Sequence, residues 1–143
     1  MPEPAKVLLD TNIWISFSIG KQLAVLDRLF ARPEFLLYTC EETIAEYQAV
    51  ARRRKLRPYI PEARIAETLS LMAQCTTIVP RTTAMPPRTS RDPKDGFLLA
   101  AAFGLAADYL VTGDADLLVL DPYFRTRILK MGDFLRAAGL DPA

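Results

Sequence analysis

The sequence predicts an α/β sandwich around a mostly parallel sheet. Five short apolar runs, each of strand length, alternate with segments whose apolar residues recur at helical spacing. The first of them, Val7-Leu8-Leu9, is continuously apolar rather than alternating, as in a strand covered on both faces, and such sheets are typically parallel.

Lys6-Val7-Leu8-Leu9-Asp10 is the first run, and it ends on an acid. Past Thr11-Asn12, the residues Leu23, Leu26, Leu29 and Phe30 mark a helix that Arg32-Pro33 stops. Phe35 to Thr39 is the second strand. Glu41-Glu42-Thr43 then open a helix expected to run through Arg54, with acids in its first turn and bases in its last, as the helix dipole favours. Pro58 and Pro61 bracket a turn, and Ile65, Leu69 and Met72 mark the buried face of a helix from Pro61 to Cys75. Thr76 to Val79 is the third strand. Pro80 to Pro93, with four prolines, is an irregular loop. Asp95 is placed to cap a helix through the apolar stretch Phe97–Ala107, which is too short to span a bilayer. Tyr109–Thr112 is the fourth strand and Arg127-Ile128-Leu129 the fifth. A last helix is expected from Gly132 to Ala138.

With 143 residues, half of them apolar, the chain suits a single domain over residues 1–143. Histidine is absent, which excludes an imidazole base, a Ser-His-Asp triad and a zinc site built on histidines. Cys40 and Cys75 are too few for a four-thiolate site or a disulfide framework, so they read as packing residues of a protein in a reducing, cytoplasmic compartment. Met1-Pro2-Glu3-Pro4 lacks the order of a secretory leader. Trp14 is expected in the core. A net charge of +1 gives no electrostatic sign of a nucleic-acid partner. Chemistry therefore falls to carboxylates, hydroxyls and basic side chains.

The acids are not scattered. Right-handed crossovers put every strand's carboxyl end on one edge of a parallel sheet. Asp10 ends the first strand, Asp114 and Asp116 follow the fourth, Asp95 opens the helix leading into it, and Glu46 lies one turn beyond Glu42. Singly, Asp10, Asp95 and Asp114 read as helix caps, and a lone helical glutamate is usually solvated, although Ile44, Ala45 and Val50 flank Glu46. Together they set four or five carboxylates near one edge. Like charges repel there by roughly a kcal/mol or more per close pair unless a cation intervenes. Oxygen-only ligands suit Mg²⁺ or Mn²⁺.

Leu8-Leu9-Asp10-Thr11-Asn12, Ile44-Ala45-Glu46-Tyr47, Arg91-Asp92-Pro93-Lys94-Asp95 and Val111-Thr112-Gly113-Asp114-Ala115-Asp116-Leu117, in this order, resemble the PIN-domain ribonucleases. The likeness runs from Val7 to Leu135 and is nearest to the VapC-like branch, toxin components of toxin–antitoxin pairs. It implies a three-layer α/β/α sandwich with a central parallel sheet, and Mg²⁺- or Mn²⁺-dependent hydrolysis of RNA phosphodiester bonds. Asp10, Glu46, Asp95 and Asp114 match the family's acidic quartet and Asp116 its additional acid. On that reading Asp10, Asp95, Asp114 and Asp116 hold metal, Glu46 completes the cage or orients the attacking water, and Thr11, Asn12 and Thr112 orient ligand or water. Gly96 departs from the pattern, since relatives often carry asparagine after the third acid. The resemblance also implies a homodimer and a small antitoxin protein as partner.

Positive charge for an RNA substrate is densest at Arg52-Arg53-Arg54-Lys55 with Arg57, which also reads as a solvated helix end. Arg88 and Arg91 are alternatives nearer the acids. Two other readings use the same acids. A haloacid-dehalogenase-like phosphatase needs a second aspartate where Asn12 stands, and a receiver-like phosphoacceptor needs one where Val79-Pro80 stands. A binding module that keeps the PIN fold without catalysis is the alternative outside enzymology.

Overall fold

The computed structural model describes residues 3–20, 23–81, 86 and 96–140. Five strands alternate with seven helices: β1 (Ala5–Leu9), α1 (Thr11–Ser18), α2 (Leu23–Phe30), β2 (Phe35–Cys40), α3 (Glu41–Ala51), α4 (Glu62–Cys75), β3 (Thr77–Val79), α5 (Gly96–Leu105), β4 (Tyr109–Val111), α6 (Ala115–Leu118), β5 (Arg127–Leu129) and α7 (Met131–Ala137). The strands form one sheet in the order β3-β2-β1-β4-β5, and every pairing is parallel. All five strand positions expected from the apolar runs are present, within a residue at each end.

Strand alternation sorts the core into two layers. Val7, Leu9, Leu37 and Val111 point to one face and pack with Trp14, Phe17, Leu26, Leu29, Tyr47, Ile65, Met72 and Phe134 of α1, α2, α3, α4 and α7. Leu8, Leu110 and Ile128 point to the other and pack with Leu98, Leu99, Ala102 and Leu117 of α5 and α6. Covering both faces is what made Val7-Leu8-Leu9 continuously apolar. Trp14 is fully buried, with its ring centroid 6.0 Å from that of Phe17 and 6.5 Å from that of Phe30. Among the described residues, no helix is long and apolar enough to cross a membrane.

Three expectations change. Separate helices α1 and α6 follow β1 and β4, capped by Asp10 and Asp114 as their cap reading allows, although the sequence marked no helical stripe of their own there. Their apolar stripes are too short to stand out, since α6 has four residues. The helix expected through Arg54 ends at Ala51, and Arg54–Leu56 forms a single 3-10 turn. Ala51 and Ile60 are both buried in the same core layer, and a helix continued through Arg54 would carry Ile60 away from it. The basic run is therefore an exposed turn beyond the helix. Lastly, Cys40 is buried at the end of β2 but Cys75 is exposed, because the buried stripe of α4 runs through Ile65, Thr68 and Met72 on another side.

Candidate active site

The strand order reverses between β1 and β4. The chain first winds outward from β1 through β2 to β3, then returns to lay β4 on the other side of β1. Adjacent loops leave such a switch point in opposite directions and open a crevice at the strands' carboxyl ends, where open α/β sheets bind ligands. Asp10 and Thr112 are the residues immediately past these two strands.

The register fixes them side by side. Leu9 pairs with Val111, and the ladder continues as the Asp10 N–H donates to the Val111 carbonyl (3.1 Å) and the Thr112 N–H to the Leu129 carbonyl (3.0 Å). The Thr112 hydroxyl then donates to Oδ2 of Asp10 at 2.7 Å and accepts from the Asp114 N–H at 3.0 Å. Oδ1 of Asp10 accepts from the Thr11 N–H at 2.6 Å, which caps α1. Asp114 caps α6 in the same way, accepting from the Asp116 N–H at 2.9 Å. Asn12 reaches across to accept from the Gly113 N–H at 3.3 Å.

Asp10 is a buried carboxyl, only 6% exposed. Burial pushes its pKa above the ordinary aspartate value; the bonds from Thr112 and Thr11 pull it back, and the charges of Glu46 and Asp114 push it up again. Glu46 itself is exposed on α3, so its apolar neighbours in sequence did not mean burial. It still stands near enough for its charge to bear on Asp10. Asp114 and Asp116 are half-buried. Thr11 is buried, and its hydroxyl has no hydrogen-bond partner among the described residues.

Among the described residues, no three Asp, Glu or Cys side chains stand close enough together to hold a metal ion. Asp95 lies outside the described residues, as do Arg88 and Arg91 and most of the loop before α5. Gly96 opens α5, where the sequence placed the helix start. The donors that are described suit a hard divalent cation: each is a carboxylate oxygen, and each oxygen of Asp10 keeps a lone pair beyond its one hydrogen bond. A cation would also offset the three charges that meet at Asp10.

Sequence reasoning gave Thr112 a water-orienting role, but its one proton is committed to Asp10. Its geometry makes it a tie between the ends of β1 and β4. The basic run is exposed throughout, and Arg52 is spent on Glu62, with bonds of 3.0 and 3.3 Å. Arg53, Arg54, Lys55 and Arg57 remain on the surface. Two features passed unnoticed in the sequence. Ser18, Tyr47 and Thr68 form a buried hydroxyl cluster, with Ser18 Oγ 2.5 Å from Tyr47 Oη and 2.9 Å from Thr68 Oγ1, tying α3, the helix of Glu46, to α1 and α4. Their positions on the apolar stripes of these helices are the only trace in sequence. Lys130 and Ser16 line a groove together with Asn12 and Thr112.

The crystal structure of PAE2754 from Pyrobaculum aerophilum shares this fold, with a TM-score of 0.62 over 94% of this chain and 90% of that one, at 17% identity. No curated protein sequence is significantly similar to the chain. A family profile described as PIN domain matches residues 6–116, a span that runs from the second residue of β1 past β4 and holds Asp10, Glu46, Asp95, Asp114 and Asp116. With that match over most of its length, this chain belongs to the PIN-domain family, whose members are usually nucleases that use divalent metal ions.

Proposed function

We propose that this protein is an endoribonuclease that hydrolyses RNA phosphodiester bonds with Mg²⁺ or Mn²⁺. The observation that carries the reading is Asp10: a buried carboxyl at the switch point, held by Thr11 and Thr112, and loaded by the charges of Glu46 and Asp114. A buried acid so placed is costly to the fold, and its placement makes sense as a ligand. Asp10 and Asp114 would hold the metal, with Asp95 and Asp116 the further acids. When bound, the metal supplies charge neutralisation on the phosphoryl oxygens and an activated water, the chemistry that a histidine-free chain lacks.

The chain's own residues do the rest. Thr112 and Thr11 fix the rotamer of Asp10. Glu46, exposed on α3, would complete the metal cage or orient the attacking water. The surface bases Arg53, Arg54, Lys55 and Arg57 form a track for the RNA backbone. The test is cleavage of single-stranded RNA by the wild type and by Asp10→Asn and Asp114→Asn, in Mg²⁺, Mn²⁺ and EDTA. Losing metal-borne stabilisation of several kcal/mol lowers the rate by about 100-fold or more. Undiminished cleavage by Asp10→Asn, or by the wild type in EDTA, overturns the assignment. Equal inactivity of wild type and variants favours the silent binding module.

The finer reading is that this nuclease is the toxin of a toxin–antitoxin pair, acting in the cytoplasm as a homodimer and held in check by a small antitoxin protein. What supports it is the resemblance of the four motifs to that branch. Induction should then arrest growth in an Asp10-dependent way, and co-expressing a small protein encoded beside its gene should relieve the arrest. Unimpaired growth on induction overturns the toxin reading and leaves the nuclease reading to its own test.

A further inference from the structure

A groove of about 460 Å³ opens beside the switch point, on the β5 side. That volume is within the ~300–1,000 Å³ typical of sites for small ligands. Its floor and walls carry Asn12, Ile13, Ser16, Gly113, Lys130 and Met131, and it is continuous with Thr112, the residue bonded to Asp10. Apart from Thr112, whose proton goes to Asp10, its polar side chains can donate. Lys130 is exposed, and its ammonium makes no ion pair or hydrogen bond among the described residues. Ser16 is exposed, and Asn12 spends its carbonyl oxygen on the Gly113 N–H, which leaves its NH₂ group to donate. Among the described residues, no acid lines the groove. Ile13 and Met131 supply an apolar side.

A wall that donates, holds one unpaired cation and has an apolar flank is complementary to a nucleotide: an anionic phosphate, with a sugar and base that have apolar faces. The charges of Glu46 and Asp114 act on the neighbouring Asp10, so an anionic strand reaching this site gains from a cation set just past it. We infer that this groove seats the nucleotide adjoining the scissile phosphate, with its phosphate on Lys130 and its sugar and base against Ile13 and Met131. This rests on the proposed cleavage of RNA. It makes Lys130 a substrate-binding residue on β5's side of the site, opposite in character to the exposed basic turn after α3.

The experiment measures binding separately from cleavage. A short 5′-fluorescein-labelled oligouridylate is titrated with protein in EDTA over a range of salt, followed by fluorescence anisotropy. Removing one phosphate contact by Lys130→Gln should weaken binding about 3- to 10-fold and reduce the slope of log affinity against log salt by about 0.7. Lys130→Arg should retain most of the affinity. Ser16→Tyr, which fills the groove from an exposed position without touching its charge, should also weaken binding. Arg28→Gln, a charge change on the exposed side of α2, serves as the control. The inference is overturned if Lys130→Gln behaves like Arg28→Gln, if Ser16→Tyr binds as the wild type does, or if the wild type does not bind the oligouridylate at low salt. Should Lys130-dependent binding stand while Asp10→Asn cleaves as well as the wild type, the groove assignment holds and the nuclease assignment fails. The converse pattern keeps the nuclease and removes the groove.

Discussion

Replacing Thr112 by valine tests the geometry of the switch point most directly. Thr112 is fully buried, and its hydroxyl serves Asp10 and the Asp114 N–H at once. Valine keeps the shape and removes both bonds. A hydrogen bond to an ionised group contributes about 1.5–3 kcal/mol, and its loss is felt in full when the charged partner stays buried. At ~2.1 cal/mol/K of unfolding entropy per residue, a chain of 143 residues has an entropy near ~0.3 kcal/mol/K. Tm should therefore fall by about 5–10 °C. Calorimetry in EDTA at neutral pH measures this. The deficit should shrink in acid, where Asp10 is protonated and the lost bond is an ordinary neutral one of about 0.5–1.5 kcal/mol. Cleavage should also weaken by ~10–100-fold, the usual effect of removing a group that orients a metal-ligating carboxylate, and Thr112→Ser should restore most of it. If the valine variant melts within ~1 °C of the wild type and cleaves with the same metal dependence, Thr112 is not the tie described, and the reasoning from its two bonds is wrong.

Asp10→Asn should raise Tm at neutral pH in EDTA even as it removes activity. The folded-state pKa of Asp10 lies above its unfolded value, so the stability it contributes is complete below the ordinary aspartate pKa and is lost as pH rises through the raised one. Melts in acid should coincide and separate toward neutrality; a variant less stable than the wild type at neutral pH would contradict the burial of the charge. Burial, with the charges of Glu42 and Asp10, pushes the Cys40 thiol up to about 12, whereas Cys75 is exposed. A thiol-reactive dye in mildly alkaline buffer should therefore modify one cysteine quickly and the other only on unfolding, with peptide mapping to identify Cys75; two fast reactions refute it. Tyr47→Phe removes the hydroxyl that meets Ser18 and should lower Tm by about 2–5 °C, the worth of one neutral hydrogen bond in a domain of this size. An unchanged melt would show that the short contact contributes nothing.

Much of this was legible in the sequence because the physics behind it is local. The strands show as short runs bounded by polar residues, and Asp10 and Asp114 fall just beyond β1 and β4, because a carboxylate is costly at the buried centre of a sheet covered on both faces. Knowing that the sheet is parallel then puts both acids on one edge. The strand order is not local. That β4 lies beside β1, so that Asp10 meets Thr112, depends on pairing between residues about a hundred positions apart, and no pattern within either segment encodes it. Helix ends misled for a similar reason. Arg52, Arg53 and Arg54 have good helix propensity, yet the helix stops at Ala51 because Ile60 must return to the core, a tertiary demand that outweighs a few tenths of a kcal/mol per residue. Ser18, Tyr47 and Thr68 were invisible because their hydroxyls meet one another from three different helices, with only the Thr68 bond to the Arg64 carbonyl made within its own helix.

Capping and the proposed metal binding, which read as competing explanations of each aspartate, are compatible in one arrangement. The cap bond from the Thr11 N–H uses one lone pair of Asp10 and fixes its side chain, and the Thr112 hydroxyl fixes the other oxygen. Asp114 is fixed by the Asp116 N–H at the start of α6. A carboxylate so held loses little further freedom when it takes up a ligand, which is how a first turn of helix preorganises a site. The two strands that meet at the switch point each deliver such a capped acid, and the same hydroxyl links them. What a cap alone does not explain is the burial of Asp10 next to two other negative charges, since a cap works as well at the surface and without that penalty. That excess cost separates the acid of a site from an acid that only begins a helix, and it is why the stability of Asp10→Asn and the activity of the wild type should move in opposite directions.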